Sequence, residues 1–232
     1  MWALRLYRST IGKKVIMAVT GIILVAFVIL HMLGNLQVFI GPEKMNRYAA
    51  FLQSLGELLW LARLVLLVAL ILHVTMAYQL AQRSRLARPT DYRRRDPQVS
   101  TVASRTMRWG GVLILVFVIF HILHFTTGTV FPWASRTDAM YPGFDHANVY
   151  GNIIAAFRSA WVVTFYVVVM LFLMLHLFHG AWSSVRTLGL AKPSPRPLHR
   201  QVATAIALVV WLGFTAGLRG RRRSESARSP GP

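Results

Sequence analysis

The sequence predicts an all-α integral membrane protein, a bundle of five transmembrane helices with its N-terminus in the cytoplasm. Three observations carry this. The chain is 55% hydrophobic and only 14% charged, where a soluble domain carries about a quarter charged residues. Its apolar residues gather into five runs near the length a bilayer requires. Lysine and arginine concentrate in alternate connections, as they do when basic loops stay on the cytoplasmic side.

The first run, residues 15–40, follows a segment with four basic residues and no acid. It is too long for a signal peptide and lacks a small-residue cleavage site, so it reads as the first span. Gly41-Pro42 ends it. Residues 43–56 are amphipathic and too polar to cross, which predicts a short interfacial helix. The second span covers 58–81, with Arg63 one turn inside, able to snorkel to the headgroups. A loop with eight arginines occupies 83–108. The third span, 109–130, contains WGGVLILVFVIFHILHFTT. Residues 131–150 are aromatic and Pro/Gly-punctuated, as expected of an interfacial loop. The fourth span starts near Ile153 or Trp161 and ends near Val185. A proline-rich basic connection, 186–200, leads to a fifth span at 202–218. Residues 1–218 thus form one membrane domain, and 219–232 (RGRRRSESARSPGP) read as a disordered basic tail.

The N-terminal segment, the 83–108 loop and the 186–200 loop carry four, eight and four basic residues, against two and one in the opposite loops. That puts the N-terminus inside and, after five spans, the C-terminus outside. The basic RGRRR after the last span runs against the same rule. The net charge of +19 therefore speaks of topology and anionic lipid rather than nucleic acid, since no basic segment is interleaved with aromatics on a soluble fold. With no cysteine, the chain can hold neither an iron–sulfur cluster through thiolates nor a covalently attached haem.

Six of the eight histidines lie inside apolar runs, at least one in each of the first four. Imidazole in hydrocarbon is costly unless its nitrogens are used. Counting from the basic residues at each cytoplasmic end, at about 1.5 Å per residue, His73 and His176 lie roughly 15 Å in. His31 and His121 lie roughly 20–25 Å in. Two layers, each with two histidines on different helices, are what two six-coordinate b-type haems require. Within the pairs His121/His124 and His176/His179 the choice stays open, because residues three apart share a helix face. The spare histidine is left for a propionate, a backbone group or a quinone. Gly110, Gly180, Gly34 and Asn35 are the small residues near the rings, and Arg63, Arg105 and Arg108 are cations for the propionates. A zinc or copper transporter is a weaker fit, because the spans hold no cysteine or acid that would join the histidines. A haem-free anchor whose histidines tie helices together is the alternative from another class.

The segments KKxxMAxTG and HMLGNLxxF (13–39), NxYAxxL (46–52), ASRTMxWGG (103–111), FHxLHFxTG (120–128) and HLxHGxWSSxxTLG (176–189) together resemble the cytochrome b subunit of succinate dehydrogenase. The similarity is to the single-chain, five-helix, dihaem membrane anchor of bacterial succinate:quinone and fumarate:quinol oxidoreductases. It implies an inner haem on His73 and His176, an outer haem on His31 and His121, and quinone as membrane substrate. It also implies flavoprotein and iron–sulfur subunits on the cytoplasmic face of a bacterial inner membrane. The working direction, succinate oxidation or fumarate reduction, is open in that resemblance. The fourth and fifth spans carry no acid, unlike members that use a glutamate for proton movement. Glu57, at the start of the second span, is the nearby carboxylate, read either as part of an outer quinone site or as an interfacial cap.

Overall fold

A computed structural model of the chain describes residues 7–87, 101–135, 143–192, 194 and 197–219. Among these residues there is no strand, and five helices are long and apolar enough to cross a membrane. The fold is an all-α, multi-pass bundle. In hydrocarbon each helix satisfies its own backbone groups, which is why a chain of this composition folds as helices at all.

Helix α1 spans Thr10–Asn35 and runs on into a 3-10 turn, Leu36–Phe39. It begins before the apolar run does, because the Ser9 hydroxyl accepts the Gly12 N–H at 2.8 Å and caps the basic first turn. Gly41, at φ 127°, turns the chain into α2, Pro42–Ser54, the short amphipathic helix. Helix α3, Glu57–Leu86, follows a corner at Gly56 and carries Arg83 and Arg85 in its last turn, where the helix dipole favours them. Helix α4, Val102–Phe125, starts about two turns earlier than the apolar pattern indicates. Thr101 caps it by accepting the Ser104 N–H at 3.1 Å. The Ser104 and Thr106 hydroxyls donate back to carbonyls one turn earlier, which makes the polar ASRT segment compatible with a helix.

Two short helices, α5 (Phe131–Ala134) and α6 (Val149–Ala156), occupy the connection that follows. Helix α7 is Ala160–Thr187, so the fourth span begins near Trp161, and Ile153 belongs to α6 instead. Helix α8, Leu198–Arg219, is longer than the fifth apolar run, and its backbone takes in the first residue of the expected tail. Residues 220–232, the rest of that tail, and 88–100 of the arginine-rich loop lie outside the described residues.

Helix α1 packs against α3, α7 and α8, and α7 packs against α4 and α8 as well. Two interiors result. One lies between α4 and α7 around Phe117, Val162, Tyr166, Val169 and Met170; the other joins α1, α7 and α8 around Met32, Leu177, Ala207 and Val210. Helix α3 buries little, chiefly Ala69 and Met76, and turns Leu61, Leu64, Val68 and Ile71 outward. Such an apolar exterior belongs against lipid.

Polar ties fasten both ends. At the basic end, Lys13 is buried, donates to Gln79 Oε1 and lies over the Tyr7 ring at 4.2 Å. Arg83 donates to Thr10 Oγ1 at 3.0 Å and to the Arg8 carbonyl at 2.8 Å, joining α3 to the start of α1. At the other end, Asn46 of α2 donates to Asn148 Oδ1 at 3.2 Å and accepts the Tyr150 N–H at 2.9 Å, holding α2 to α6.

Helices α1 and α8 approach closely where Gly213 faces Met32, and any Cβ there would overlap the methionine sulfur. Gly213→Val is expected to destabilise by about 1–3 kcal/mol through overpacking, read as a lower thermal midpoint in detergent. Gly180→Ala, where an added Cβ meets nothing within 4 Å, should leave the midpoint no lower.

Candidate functional site

The intramembrane histidines face one another in two pairs. The rings of His31 (α1) and His121 (α4) have centroids 5.7 Å apart at 85°, and those of His73 (α3) and His176 (α7) are 6.2 Å apart at 60°. The helices in each pair are not packing partners among the described residues: α1 does not pack along α4, nor α3 along α7. Each histidine pair therefore reaches across a gap rather than a helix–helix seam. A cavity of about 2300 Å³ fills the gap and is lined by all four rings. Ligand pockets commonly hold about 300–1,000 Å³, so this one has room for more than one large occupant.

The spacing has a chemical meaning. Two imidazoles ligating one metal from opposite sides, each at a bond length of about 2.0–2.1 Å, have ring centres roughly 6 Å apart. Both pairs stand close to that separation. Among the described residues no group of three or more His, Cys, Asp or Glu converges. A metal between either pair would draw its remaining ligands from outside the described side chains, as a bis-histidine haem draws them from its macrocycle.

The surroundings fit a ligating imidazole. His73 Nδ1 lies 3.1 Å from the Met17 carbonyl, with Thr20 Oγ1 at 3.4 Å. A carbonyl only accepts, so Nδ1 carries the proton and Nε2 is bare, the tautomer a metal needs. His121 Nδ1 lies 3.1 Å from the Tyr166 hydroxyl. His176 Nδ1 is buried without a hydrogen-bond partner. Close clearance at the inner pair comes from Gly21, where a Cβ would stand 3.2 Å from His73 Cε1, and from Gly111, where it would stand 3.8 Å from His176 Cε1.

These glycines are not the ones the helical spacing picks out. Gly110 is turned away and packs on Phe172, and Gly34 lies against the Tyr48 ring of α2. Gly180 opens onto the cavity. The signal for Gly21 was its depth, level with His73 on the neighbouring helix rather than on the histidine's own.

The two spare histidines differ. His124 is fully buried, with Nε2 2.7 Å from Ser135 Oγ and Nδ1 3.3 Å from the Tyr166 hydroxyl. Both nitrogens are occupied, and the ring does not line the cavity. His179 does line it, edge-on to Trp182 at 5.7 Å, with Nδ1 buried and without a partner. Of the cations, Arg108 and Arg63 border the cavity, and Arg63 also lies over Trp60 at 4.8 Å. Arg105 is exposed and does not border it. Sequence reasoning passed over Tyr166, Ser135 and the Met17 carbonyl. Tyr166 carried a signal, since a tyrosine in an apolar span needs a partner for its hydroxyl.

Comparison with protein-family models, with curated proteins and with solved structures finds no match.

The contrast between spare and paired histidines is measurable. His124→Ala strands the Ser135 hydroxyl, leaves the Tyr166 hydroxyl with His121 alone and opens a cavity, so the unliganded protein should lose about 1–3 kcal/mol for the unsatisfied group in addition to the lost packing. His176→Ala removes a ring whose Nδ1 is already unpaired. Chemical or thermal unfolding in detergent should rank His124→Ala well below His176→Ala.

Proposed function

We propose that this chain is a membrane-anchor cytochrome b that binds two b-type haems. It passes electrons between an iron–sulfur partner at its basic, cytoplasmic end and a membrane quinone. The observation that carries the reading is the pair of facing imidazole couples, 5.7 and 6.2 Å apart, stacked across helices that do not pack together. His73 and His176 would hold the inner haem, and His31 and His121 the outer one. Haem at these positions supplies one-electron chemistry to a chain that has no redox-active side chain of its own at the site.

The protein's residues do the remaining work. The Met17 carbonyl and the Tyr166 hydroxyl orient the ligand rings. The apolar walls exclude water. Arg108 and Lys14, both on the cavity border, offer positive charge near the carboxylates of an inner macrocycle. His179, with its unpaired Nδ1 on the cavity wall, is a polar contact for a propionate or a quinone oxygen.

The resemblance to the succinate dehydrogenase cytochrome b subunit supports the wider assignment. On that reading succinate is the ultimate donor, and flavoprotein and iron–sulfur subunits dock on the cytoplasmic side of a bacterial inner membrane, beside anionic lipid. A fumarate reductase runs the same anchor in reverse. On this reading the oxidation of the dicarboxylate belongs to the partner subunits. Arg8, Lys14, Arg83 and Arg85 are exposed where α1 begins and α3 ends, a suitable surface for an acidic partner.

Purified protein, assembled with its partners, should give two b haems per chain in a pyridine haemochrome assay. Loss of either member of a pair, His73 or His176, His31 or His121, should reduce two to one. A folded wild-type complex without haem would leave the anchor or transporter reading in its place. Glu57 is an exposed first-turn residue of α3, well placed against the helix dipole. Glu57→Gln should therefore leave quinone turnover unchanged.

A further inference from the structure

The two imidazole couples differ in what holds them. At the inner couple His73 Nδ1 faces a backbone carbonyl, which can only accept. At the outer couple His121 Nδ1 faces the Tyr166 hydroxyl at 3.1 Å, which can accept or donate. That hydroxyl is also 3.3 Å from His124 Nδ1, and His124 Nε2 is 2.7 Å from Ser135 Oγ. Tyr166, His124 and Ser135 are 6%, 0% and 6% exposed, so the contacts lie in the protein interior.

Tyr166 has one hydroxyl proton, and this makes the chain directional. In one arrangement every donor points away from the couple. His121 Nδ1–H donates to the tyrosine oxygen, the tyrosine O–H donates to His124 Nδ1, and His124 Nε2–H donates to Ser135 Oγ. His121 Nε2 is then bare and able to ligate. In the reverse arrangement Ser135 donates to His124, His124 to Tyr166 and Tyr166 to His121. His121 then carries its proton on Nε2 and cannot ligate. A third arrangement, with both imidazoles donating to the tyrosine oxygen, leaves the Tyr166 O–H without an acceptor, whereas the first leaves the Ser135 O–H at the end of the chain in that position, each at a cost of about 1–3 kcal/mol.

We infer that Tyr166, His124 and Ser135 are positioning residues of the outer site, a hydrogen-bond relay that takes up the Nδ1 proton of His121 and so supports Nε2 as its ligating nitrogen. This rests on the reading of His31 and His121 as a haem ligand couple. The relay also tunes the ligand, because an imidazole that donates its second N–H is a more basic metal ligand. A hydroxyl that is itself donating onward is a better acceptor, so Ser135, two hydrogen bonds beyond Tyr166, contributes to the basicity of His121.

The test is a spectroelectrochemical redox titration of the full complex, comparing wild type with Tyr166→Phe, Ser135→Ala and Ser135→Thr. Losing the hydroxyl makes His121 a poorer ligand for the oxidised iron. Tyr166→Phe should raise the outer midpoint potential by about 59 mV, a tenfold change in the oxidised-to-reduced preference. Ser135→Ala should shift it the same way by less, Ser135→Thr should restore it, and the inner haem should not move. Histidine-selective 15N NMR supplies a second readout, with His124 protonated on Nε2 and bare on Nδ1. Two haems with an unmoved outer potential in Tyr166→Phe, or the opposite His124 tautomer, would overturn the relay and leave the dihaem reading intact. A wild-type complex lacking the outer haem would remove the ligand couple itself, and the relay with it. If Tyr166→Phe does not assemble, the Ser135 variants and the wild-type NMR decide.

Discussion

An imidazole ring placed in hydrocarbon must have its nitrogens engaged, and most of this architecture follows from how that requirement is met. His124 meets it within the protein, through Tyr166 and Ser135. The paired rings meet it only in part. Met17 serves one nitrogen of His73 and Tyr166 one of His121, while His176 Nδ1 has no partner. The helices that carry each couple stay apart, and small residues such as Gly21 and Gly111 give the rings clearance. A bundle shaped only by packing would close such a gap, because a void forfeits dispersion contacts on every wall.

The two layers reach similar ring separations by different local means. The inner couple depends on backbone, since the Met17 carbonyl and glycines on α1 and α4 define it. The outer couple depends on side chains and is set among aromatic neighbours, with Phe27 stacked on His31 and Phe117 stacked on His121. Backbone groups cannot be exchanged by substitution, whereas a tyrosine and a serine can. The inner environment is therefore the more constrained of the two, and the outer one more open to adjustment.

Much of this was legible in the sequence, for identifiable reasons. Span count follows from hydropathy, because bilayer thickness imposes a length. The juxtaposition of His31 with His121 and of His73 with His176 follows from depth, because helix rise is constant and the basic residues mark a common plane. Depth says nothing about rotation about the helix axis. That is why Gly110 was named when Gly111 and Gly21 are the residues beside the rings. It is also why His121 and His124, three apart, could not be separated until their hydrogen bonds were seen. The early start of α4 was hidden because its first two turns are polar and owe their helicity to caps and hydroxyls rather than to apolar periodicity. Tyr166 stayed unnoticed because its partners, His121 and His124, come from another helix, α4.

Helix α3 is held along one side. It packs on α1 and is tied there by Arg83 and Gln79, while its remaining flank faces the cavity and the lipid. An element anchored along a single seam separates from its neighbours at lower cost than one clasped on several. A motion of α3 away from the bundle would break its seam with α1, part His73 from His176 and open the cavity sideways, while the seams around α7 stay intact.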